Sequence, residues 1–286
     1  ILLWEEIPVY WNINWSNAET KTSAKTMLTQ MIHRDWNRAS VIIWSIGNET
    51  PFSDARMDFM IDLKETAEGL DSSRLISAAL LSGSVEQFRS LTYFLAKEGL
   101  KHSFVSDYEK AIFKQIVSQL QPLYGSMDTF RINIKDPLAE HLDIIAYNEY
   151  FGWYYTSFIV DQLGVEESTL RKLMFKLMPS IKIESQYKKP IHLSEFGAGA
   201  KRNFKADGGI WSEEYQEDVY RHQLEMIQNN DQIQGLSPWI LKDFRSMMRP
   251  LAGVQDFYNR KGLVDEDGKK KKAFKVLQQF YKDEWE

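Results

Sequence analysis

Residues 40–49 read SVIIWSIGNE, a stretch that is almost continuously apolar from Ser40 to Ile46 and then ends in Asn48 and Glu49. A run of this length and character is typical of a parallel strand buried on both faces. Five further runs share it, and stretches of helical character separate them. These runs are Ile1 to Pro8, Arg74 to Leu80, Leu142 to Tyr147, Pro190 to Glu195 and Gln234 to Ile240. The alternation predicts consecutive β/α units around a parallel sheet.

The stretches between these strands carry the i, i+3, i+4 apolar spacing of helices that pack one face on a core. Ser212 comes before one of them and is a suitable N-cap. A last helix is predicted from Lys270 to Tyr281, and the basic run Lys269 to Lys272 is interpreted as its solvated start. The apolar stripes are Ala24, Leu28, Met31 and Ile32; Met60, Leu63 and Ala67; and Tyr215, Val219, His222 and Met226.

Six β/α units are two short of a closed eight-stranded barrel. The fold class expected is therefore α/β, a (β/α)8 TIM barrel whose first two units are missing from this chain and would lie before Ile1. One domain over residues 1–286 is predicted. The segment from Ser82 to Asp136 is interpreted as an insertion of helical character, either shaping the mouth of a site or neutral decoration.

Composition excludes several classes of function. The 286 residues have a formal net charge of -5 and no cysteine, which argues against a cationic surface for nucleic acid or anionic membrane and against thiolate chemistry. The apolar runs are too short to span a membrane. No histidine has a partner at metal-ligand spacing, His192 is expected to point toward the helices, and no glycine-rich phosphate loop follows a strand. No metal and no cofactor are predicted.

The chemistry-bearing residues are two glutamates that close apolar strands. Glu49 follows the run quoted above, and Glu195 ends IHLSE. Barrel enzymes place their catalytic groups at these strand ends. Glycoside hydrolysis needs such a pair, one carboxyl group to protonate the leaving oxygen and one to attack the anomeric carbon. The alternative for either glutamate alone is a structural ion pair at the end of a strand.

Several spaced motifs resemble family 2 of the glycoside hydrolases and follow that family's order along most of the chain. They are RDWNRASVIIWSIGNE at 34–49, DIIAYNEYFGWYY at 143–155, IHLSEFG at 191–197 and IWSEEYQEDVYRHQLE at 210–225. The resemblance implies a (β/α)8 barrel preceded by β-sandwich domains, with Ile1 to Pro8 as the third barrel strand. It also implies that Glu49 is the acid/base and Glu195 the nucleophile.

Further site residues follow from the same resemblance. Asn48 matches the asparagine that binds the sugar 2-hydroxyl, and Tyr150 matches a tyrosine whose phenol orients the nucleophile. Trp239 matches a tryptophan on which the sugar stacks, and Tyr154 resembles a further pocket residue. For each aromatic residue, ordinary packing is the alternative.

The choice of sugar depends on Asn259 and Lys261, which match the Asn-x-Lys pair of the β-glucuronidase branch. An ammonium and an amide suit the carboxylate of a uronic acid, although a surface lysine is the alternative. The resemblance therefore implies a retaining exo-β-glycosidase acting on terminal β-D-glucuronides. β-Galacturonides, which differ in the 4-hydroxyl orientation, and β-galactosides stay open, as does a non-catalytic carbohydrate-binding fragment.

Two departures from the family pattern add expectations. Asn12 to Thr22 leads directly into a helix, so no long loop covers the mouth, which favours bulkier aglycones or oligosaccharide ends. Residues that the family supplies from upstream are absent, so this chain alone is expected to lack part of the site. The partners expected are a carbohydrate, the missing N-terminal segment or domains and a homo-oligomer. The compartment stays open between bacterial cytoplasm and periplasm.

Overall fold

The computed structural model describes residues 2–81 and 83–283, except for the side chains of residues 157, 158, 161 and 162. Ile1, where the first predicted strand begins, and Ser82, where the predicted insertion begins, lie outside the described residues. The strands are β1 Leu3–Glu6, β2 Val41–Asn48, β3 Leu75–Leu80, β4 Arg131–Ile134, β5 Ile145–Asn148, β6 Lys182–Ser185, β7 Ile191–Glu195, β8 Ile233–Leu236, β9 Phe244–Arg245 and β10 Tyr258–Asn259.

Six of these strands form one parallel sheet in the order β1-β2-β3-β5-β7-β8. They are the six strands that the sequence predicts, so the prediction of a parallel sheet of β/α units is confirmed. The bounds differ most in the last strand, which ends at Leu236 where Ile240 was expected. The sequence did not predict the small parallel sheet of β4 and β6 or the antiparallel pair of β9 and β10.

The helices lie between the strands, as expected. They are α1 Ala18–Asp35, α2 Asp54–Leu70, α3 Val85–Gly99, α4 Asp107–Tyr124, α5 Tyr155–Leu163, α6 Glu167–Leu177, α7 Glu213–Gln228 and α8 Lys272–Asp283, with 3-10 turns at Pro137–Glu140 and Met178–Ser180. The apolar stripes of α1 and α2 are buried in the main core as predicted. In the described part of the predicted insertion, α3 and α4 confirm the helical character.

Two predictions about the helices need correction. His222 does not belong to the buried stripe of α7; it is partly exposed and stacks on Phe175 with 4.7 Å between ring centroids. The run before α8 is not all solvated, because Lys271 is 1% exposed and its Nζ lies 2.8 Å from Asp243 Oδ1. Lys271 is buried because it pairs with Asp243, 28 residues upstream. A contact between residues so far apart in the sequence cannot be predicted from a run of lysines.

The sheet is strongly curved. Trp4 on β1 stacks on His192 on β7 with ring centroids 5.5 Å apart, although three strands lie between them and a flat sheet would separate these strands by about 19 Å. The inner face of the sheet therefore closes toward itself, as in a barrel wall. Among the described residues no further strand pairs with the outer edges of β1 and β8, and two missing units that would close them remain a prediction. Within residues 2–81 and 83–283, no helix combines the length and apolarity that a membrane crossing needs.

Candidate active site

Both glutamates lie at the carboxyl edge of the parallel sheet and line one cleft of about 600 Å³. Glu49 follows the last residue of β2, and Glu195 is the last residue of β7. Among the described residues neither carboxylate forms an ion pair, so the alternative of a structural ion pair has no support. The cleft is also lined by Tyr10, Trp11, Asn48, Leu81, Asn148, Tyr150, Tyr154, Tyr155, Trp239, Arg249, Asn259 and Lys261.

The Glu49 carboxylate is held by two side chains that donate to different oxygens. Trp11 Nε1 donates to Oε2 at 2.9 Å, and Asn148 Nδ2 donates to Oε1 at 3.1 Å. The segment after β1 carries Trp11 to this position because the Trp11 amide donates to the Asn48 carbonyl at 3.2 Å. Glu49 itself has φ +49°, a left-handed conformation that is uncommon outside glycine. The turn at the end of β2 thus directs the side chain into the cleft.

A register shift at the end of β7 directs Glu195 into the same cleft. Tyr147 pairs with Leu193, but the next residue of β5, Asn148, pairs with Glu195, so Ser194 is passed over. Strict alternation from Glu195 would put His192 among the helices, as the sequence analysis expected, and that prediction is wrong. His192 and Ser194 both face the inside of the sheet, and the bulge lets Glu195 face it too.

The phenol of Tyr150 donates to Glu195 Oε2 at 2.5 Å. Burial and the nearby Glu195 charge raise the Tyr150 pKa, so the phenol stays a donor. Burial raises the pKa of Glu195 to about 7, with a smaller contribution from the Glu49 charge, whereas Tyr150 and the Lys261 ammonium lower it. Burial therefore moves the titration of this carboxyl group from the acid range toward neutral pH. A third acid, Glu6 at the end of β1, has a pKa raised mainly by burial, and its Oε2 accepts from Ser45 Oγ at 2.6 Å.

Lys261 and Asn259 belong to this cleft, so the alternative of a surface lysine is wrong: Lys261 is 6% exposed. Its ammonium donates to the Tyr154 phenol and lies 4.5 Å from the centre of the Tyr150 ring. Burial lowers the pKa of Lys261, while Tyr154 and Glu195 raise it. Asn259 Oδ1 accepts from the Lys261 amide at 3.1 Å, which fixes the turn between the two residues.

The remaining predicted residues also line the cleft. Asn48 Oδ1 accepts from Asn148 Nδ2 at 2.9 Å. Trp239 lies three residues beyond β8, and its peptide bond to Ile240 is cis. Tyr154 is packed edge-on against Tyr150 at 5.1 Å. The structure therefore brings all eight predicted site residues together.

Sequence reasoning missed several residues that line the cleft, chiefly Tyr10, Trp11, Leu81, Asn148 and Arg249. Asn148 was inside a quoted motif, directly after an apolar strand, and that position was the signal for it. Arg249 lies on a loop with no regular pattern. Within the described ranges Arg249 has no ion-pair partner, and its charge lowers the pKa of Lys261. The same ranges hold no group of three His, Asp or Glu side chains placed to bind a metal.

A parallel β/α sheet with two carboxylates in one cleft at its carboxyl edge defines a barrel domain of the glycoside hydrolase type. Residues 3–284 match the model of the TIM barrel domain of the glycosyl hydrolases family 2, and the chain belongs to that family. The resemblance predicted from the motifs is thus confirmed.

Three relatives illustrate the similarity. A protein of Formosa agariphila is 26% identical over 300 residues, which cover 99% of this chain and 30% of that protein. The β-glucuronidase of Paenibacillus borealis is 23% identical over 265 residues, covering 92% and 34%. The solved structure of a family 2 β-galacturonidase from Eisenbergiella tayi bound to galacturonate superposes with a TM-score of 0.66 at 22% identity, covering 99% of this chain and 41% of that one. The chain spans about a third of the length of these curated relatives.

Proposed function

We propose that the chain is the catalytic barrel of a retaining exo-β-glycosidase that hydrolyses terminal β-D-glucuronides by double displacement. The observation that carries the proposal is the meeting of Glu49, Glu195 and the buried Lys261 in one cleft. Two carboxyl groups supply the chemistry, and a buried ammonium supplies a partner for a sugar carboxylate.

The first displacement uses both glutamates. The Glu195 carboxylate attacks the anomeric carbon as the bond to the leaving oxygen breaks, and the proton of the Glu49 carboxyl group goes to that oxygen. Tyr150 orients the nucleophile through its hydrogen bond to Oε2. In the second displacement, Glu49 takes a proton from water, the water oxygen attacks the anomeric carbon and Glu195 leaves. The β configuration is thereby retained, which requires the two carboxyl groups to lie about 5 to 5.5 Å apart.

Sugar recognition is assigned to Lys261 and Asn259, supported by Arg249. A uronate carboxylate near Lys261 would place its negative charge against two cations that no described acid neutralises by an ion pair. Charge-assisted bonds of this kind disfavour a neutral hexose, because the buried Lys261 would stay without an ionic partner. The relatives named above include a β-glucuronidase and a β-galacturonidase. A β-galacturonide, whose carboxylate reaches the same cations, is therefore the second candidate.

A panel of 4-nitrophenyl β-glucuronide, β-galacturonide and β-galactoside tests the proposal on this chain and on the complete gene product. We expect glucuronide turnover with β-anomer released first, as seen by proton NMR. Glu195→Gln and Glu49→Gln should each remove turnover. Lys261→Ala should lower kcat/KM for the uronides by about 100-fold, since charge-assisted bonds contribute about 3 kcal/mol.

Lys242→Ala, at an exposed lysine between β8 and β9 that does not line the cleft, is the control and should leave all three substrates unchanged. An α-anomer as first product would exclude retention. Equal glucuronide kinetics in Lys261→Ala and Lys242→Ala would remove the uronide assignment, and a galacturonide preference would select the second candidate. Sugar binding without turnover in the complete gene product would favour a carbohydrate-binding protein.

A further inference from the structure

The side of the cleft next to Glu49 carries two exposed aromatic rings. Trp11, which donates to the Glu49 carboxylate, is 53% exposed, and Tyr10 is 52% exposed. Their ring centroids are 5.7 Å apart. Because the acid/base delivers its proton to the leaving oxygen, the leaving group must lie on this side of the site. The first ring beyond the broken bond would therefore meet Tyr10 and Trp11.

The cleft continues away from the catalytic pair past Leu81. This side chain is 42% exposed and lines the active-site cleft and two neighbouring cavities, of about 440 and 510 Å³. The smaller cavity also holds Phe52, which is 60% exposed, and the polar residues Thr50 and Lys135. Exposed apolar side chains arranged along a groove mark a binding surface. This one extends well beyond the space of a single ring.

We infer that the leaving group is an oligosaccharide of at least two sugar units. This inference rests on the proposed function and names the substrate class of the same site. The first sugar stacks on Tyr10 and Trp11, and the next passes Leu81 toward Phe52. A sugar matches this surface because it has an apolar ring face for the aromatic side chains and hydroxyl groups for the exposed Lys135. A one-ring aromatic aglycone would occupy the first part alone.

A substrate series with one glycone tests the inference: the methyl β-glucuronide, the 4-nitrophenyl β-glucuronide, and a disaccharide and a trisaccharide ending in β-glucuronic acid. For the complete gene product we expect kcat/KM to rise about three- to tenfold from methyl glycoside to disaccharide, and again to the trisaccharide. Tyr10→Ala should bring the disaccharide-to-methyl ratio close to one. Phe52→Ala should do the same to the trisaccharide-to-disaccharide ratio.

Tyr108→Ala, at a 70% exposed tyrosine on α4 outside these cavities, is the control and should keep both ratios. Calorimetric titration of Glu195→Gln with the trisaccharide gives a second measurement that needs no turnover, and Phe52→Ala in that background should weaken binding by the same factor. A trisaccharide that is no better than the disaccharide, or a ratio that Phe52→Ala leaves unchanged, would overturn the inference. Tighter binding of the 4-nitrophenyl β-glucuronide than of both saccharides to Glu195→Gln would overturn it in favour of an aromatic leaving group.

The two proposals fail in different ways. Oligosaccharide binding that depends on Phe52, without hydrolysis of any glucuronide, would contradict the catalytic proposal and leave the extended groove supported. Turnover of the methyl glycoside with both kcat/KM ratios close to one would support the catalytic proposal and contradict oligosaccharide binding in the groove.

Discussion

At the scale of single residues, Asn148 connects the two strand ends that carry the carboxylates. Its Nδ2 donates to Asn48 Oδ1 and Glu49 Oε1, and its Oδ1 accepts from Ser194 Oγ at 2.7 Å. Because the amide uses both ends, its orientation is fixed. It connects Glu49, which follows β2, to the bulge that turns Glu195 inward, so one side chain positions both carboxylates of the proposed reaction.

The pKa of Glu195 predicts the acid limb of the pH profile. Only the carboxylate attacks, so kcat/KM should rise with pH through a pKa of about 7. Tyr150→Phe removes a hydrogen bond that lowers this pKa, and the limb should therefore move to higher pH. A pH profile measured with a 4-nitrophenyl substrate checks both points.

Tyr187→Phe, at a tyrosine outside the cleft, is the control and should not move the acid limb. An acid limb below pH 5 would contradict the role given to Glu195. An acid limb that Tyr150→Phe leaves in place would contradict it as well.

Glu149 predicts a pH dependence of stability that is separate from catalysis. This side chain is fully buried beside Gln223, and burial raises its pKa to about 8. The folded state therefore keeps the proton while the unfolded chain loses it above about 4.5. The contribution of Glu149 to the free energy of unfolding is complete below about pH 4.5. It decreases by about 1.4 kcal/mol per pH unit between that pH and about pH 8.

Chemical denaturation between pH 5 and 8 measures this dependence. Glu149→Gln, which cannot ionise, should flatten the curve. Glu65→Gln, at an exposed position of α2, should leave the slope as it is. Equal slopes in the two variants would show that Glu149 is not the titrating group.

At the scale of elements, the parts of the fold that follow local patterns were predictable and the parts that depend on distant contacts were not. Apolar strands and striped helices gave the six-stranded sheet and its order. The bulge at Ser194 was not predictable, because it is a shift in pairing with β5 and leaves no mark in IHLSE. The small β4-β6 sheet was missed for the same reason, since its two strands are separated by nearly fifty residues.

The start of α8 gives a prediction at this scale. Lys271 Nζ donates to both Asp243 oxygens and to the carbonyls of Ala200 and Arg260, so it joins the loop after β7 to the Asn259–Lys261 turn. Burial raises the pKa of Asp243 and lowers that of Lys271. Both directions mean that taking the two charges out of water opposes folding. Lys271→Met removes the shorter of two ion pairs of the buried Asp243, which keeps Arg260 Nη1 at 3.3 Å, and it should lower the unfolding free energy by about 3 kcal/mol.

The neighbouring Lys272 is a matched control. It pairs with Glu214 at 2.6 Å near the surface, and because solvent screens such a pair, Lys272→Met should change stability much less than Lys271→Met does. Urea denaturation of the two variants makes the comparison. Similar losses would mean that the Lys271 contacts do not hold these loops together.

At the scale of the whole molecule, the site could be predicted further than its surroundings. The convergence of the two glutamates was predicted from the strand ends that carry them, whereas Asn48, Tyr150 and Lys261 were predicted from the resemblance to family 2. Trp11 and Arg249 lie on irregular segments, where neither periodicity nor strand order predicts the direction of a side chain. The two further β/α units that would close the sheet between β1 and β8 stay a prediction.

Within the part of the chain that the structure describes, the outer edges of β1 and β8 have no strand partner, and this predicts self-association of the chain when it is purified alone. Unpaired backbone groups on an edge strand pair readily with another copy, and a charged side chain on that strand opposes it. Multi-angle light scattering should show oligomers that grow with concentration, and Leu3→Lys on β1 should reduce them. Leu75→Lys, at an equally exposed leucine of the inner strand β3, should not. A strictly monomeric chain would show that these edges are protected.

The ammonium of Lys261 stands above the ring of Tyr150 while that phenol holds Glu195. A ligand whose negative charge compensates the ammonium would therefore affect Glu195. The Lys261 charge would then lower the pKa of Glu195 less, and the carboxylate would become a stronger base. Glu195 is then protonated up to a higher pH, so a charged sugar should shift the acid limb of its own turnover upward and an uncharged sugar should not. The charge of the substrate would thus set the pH range in which the bound nucleophile is ionised.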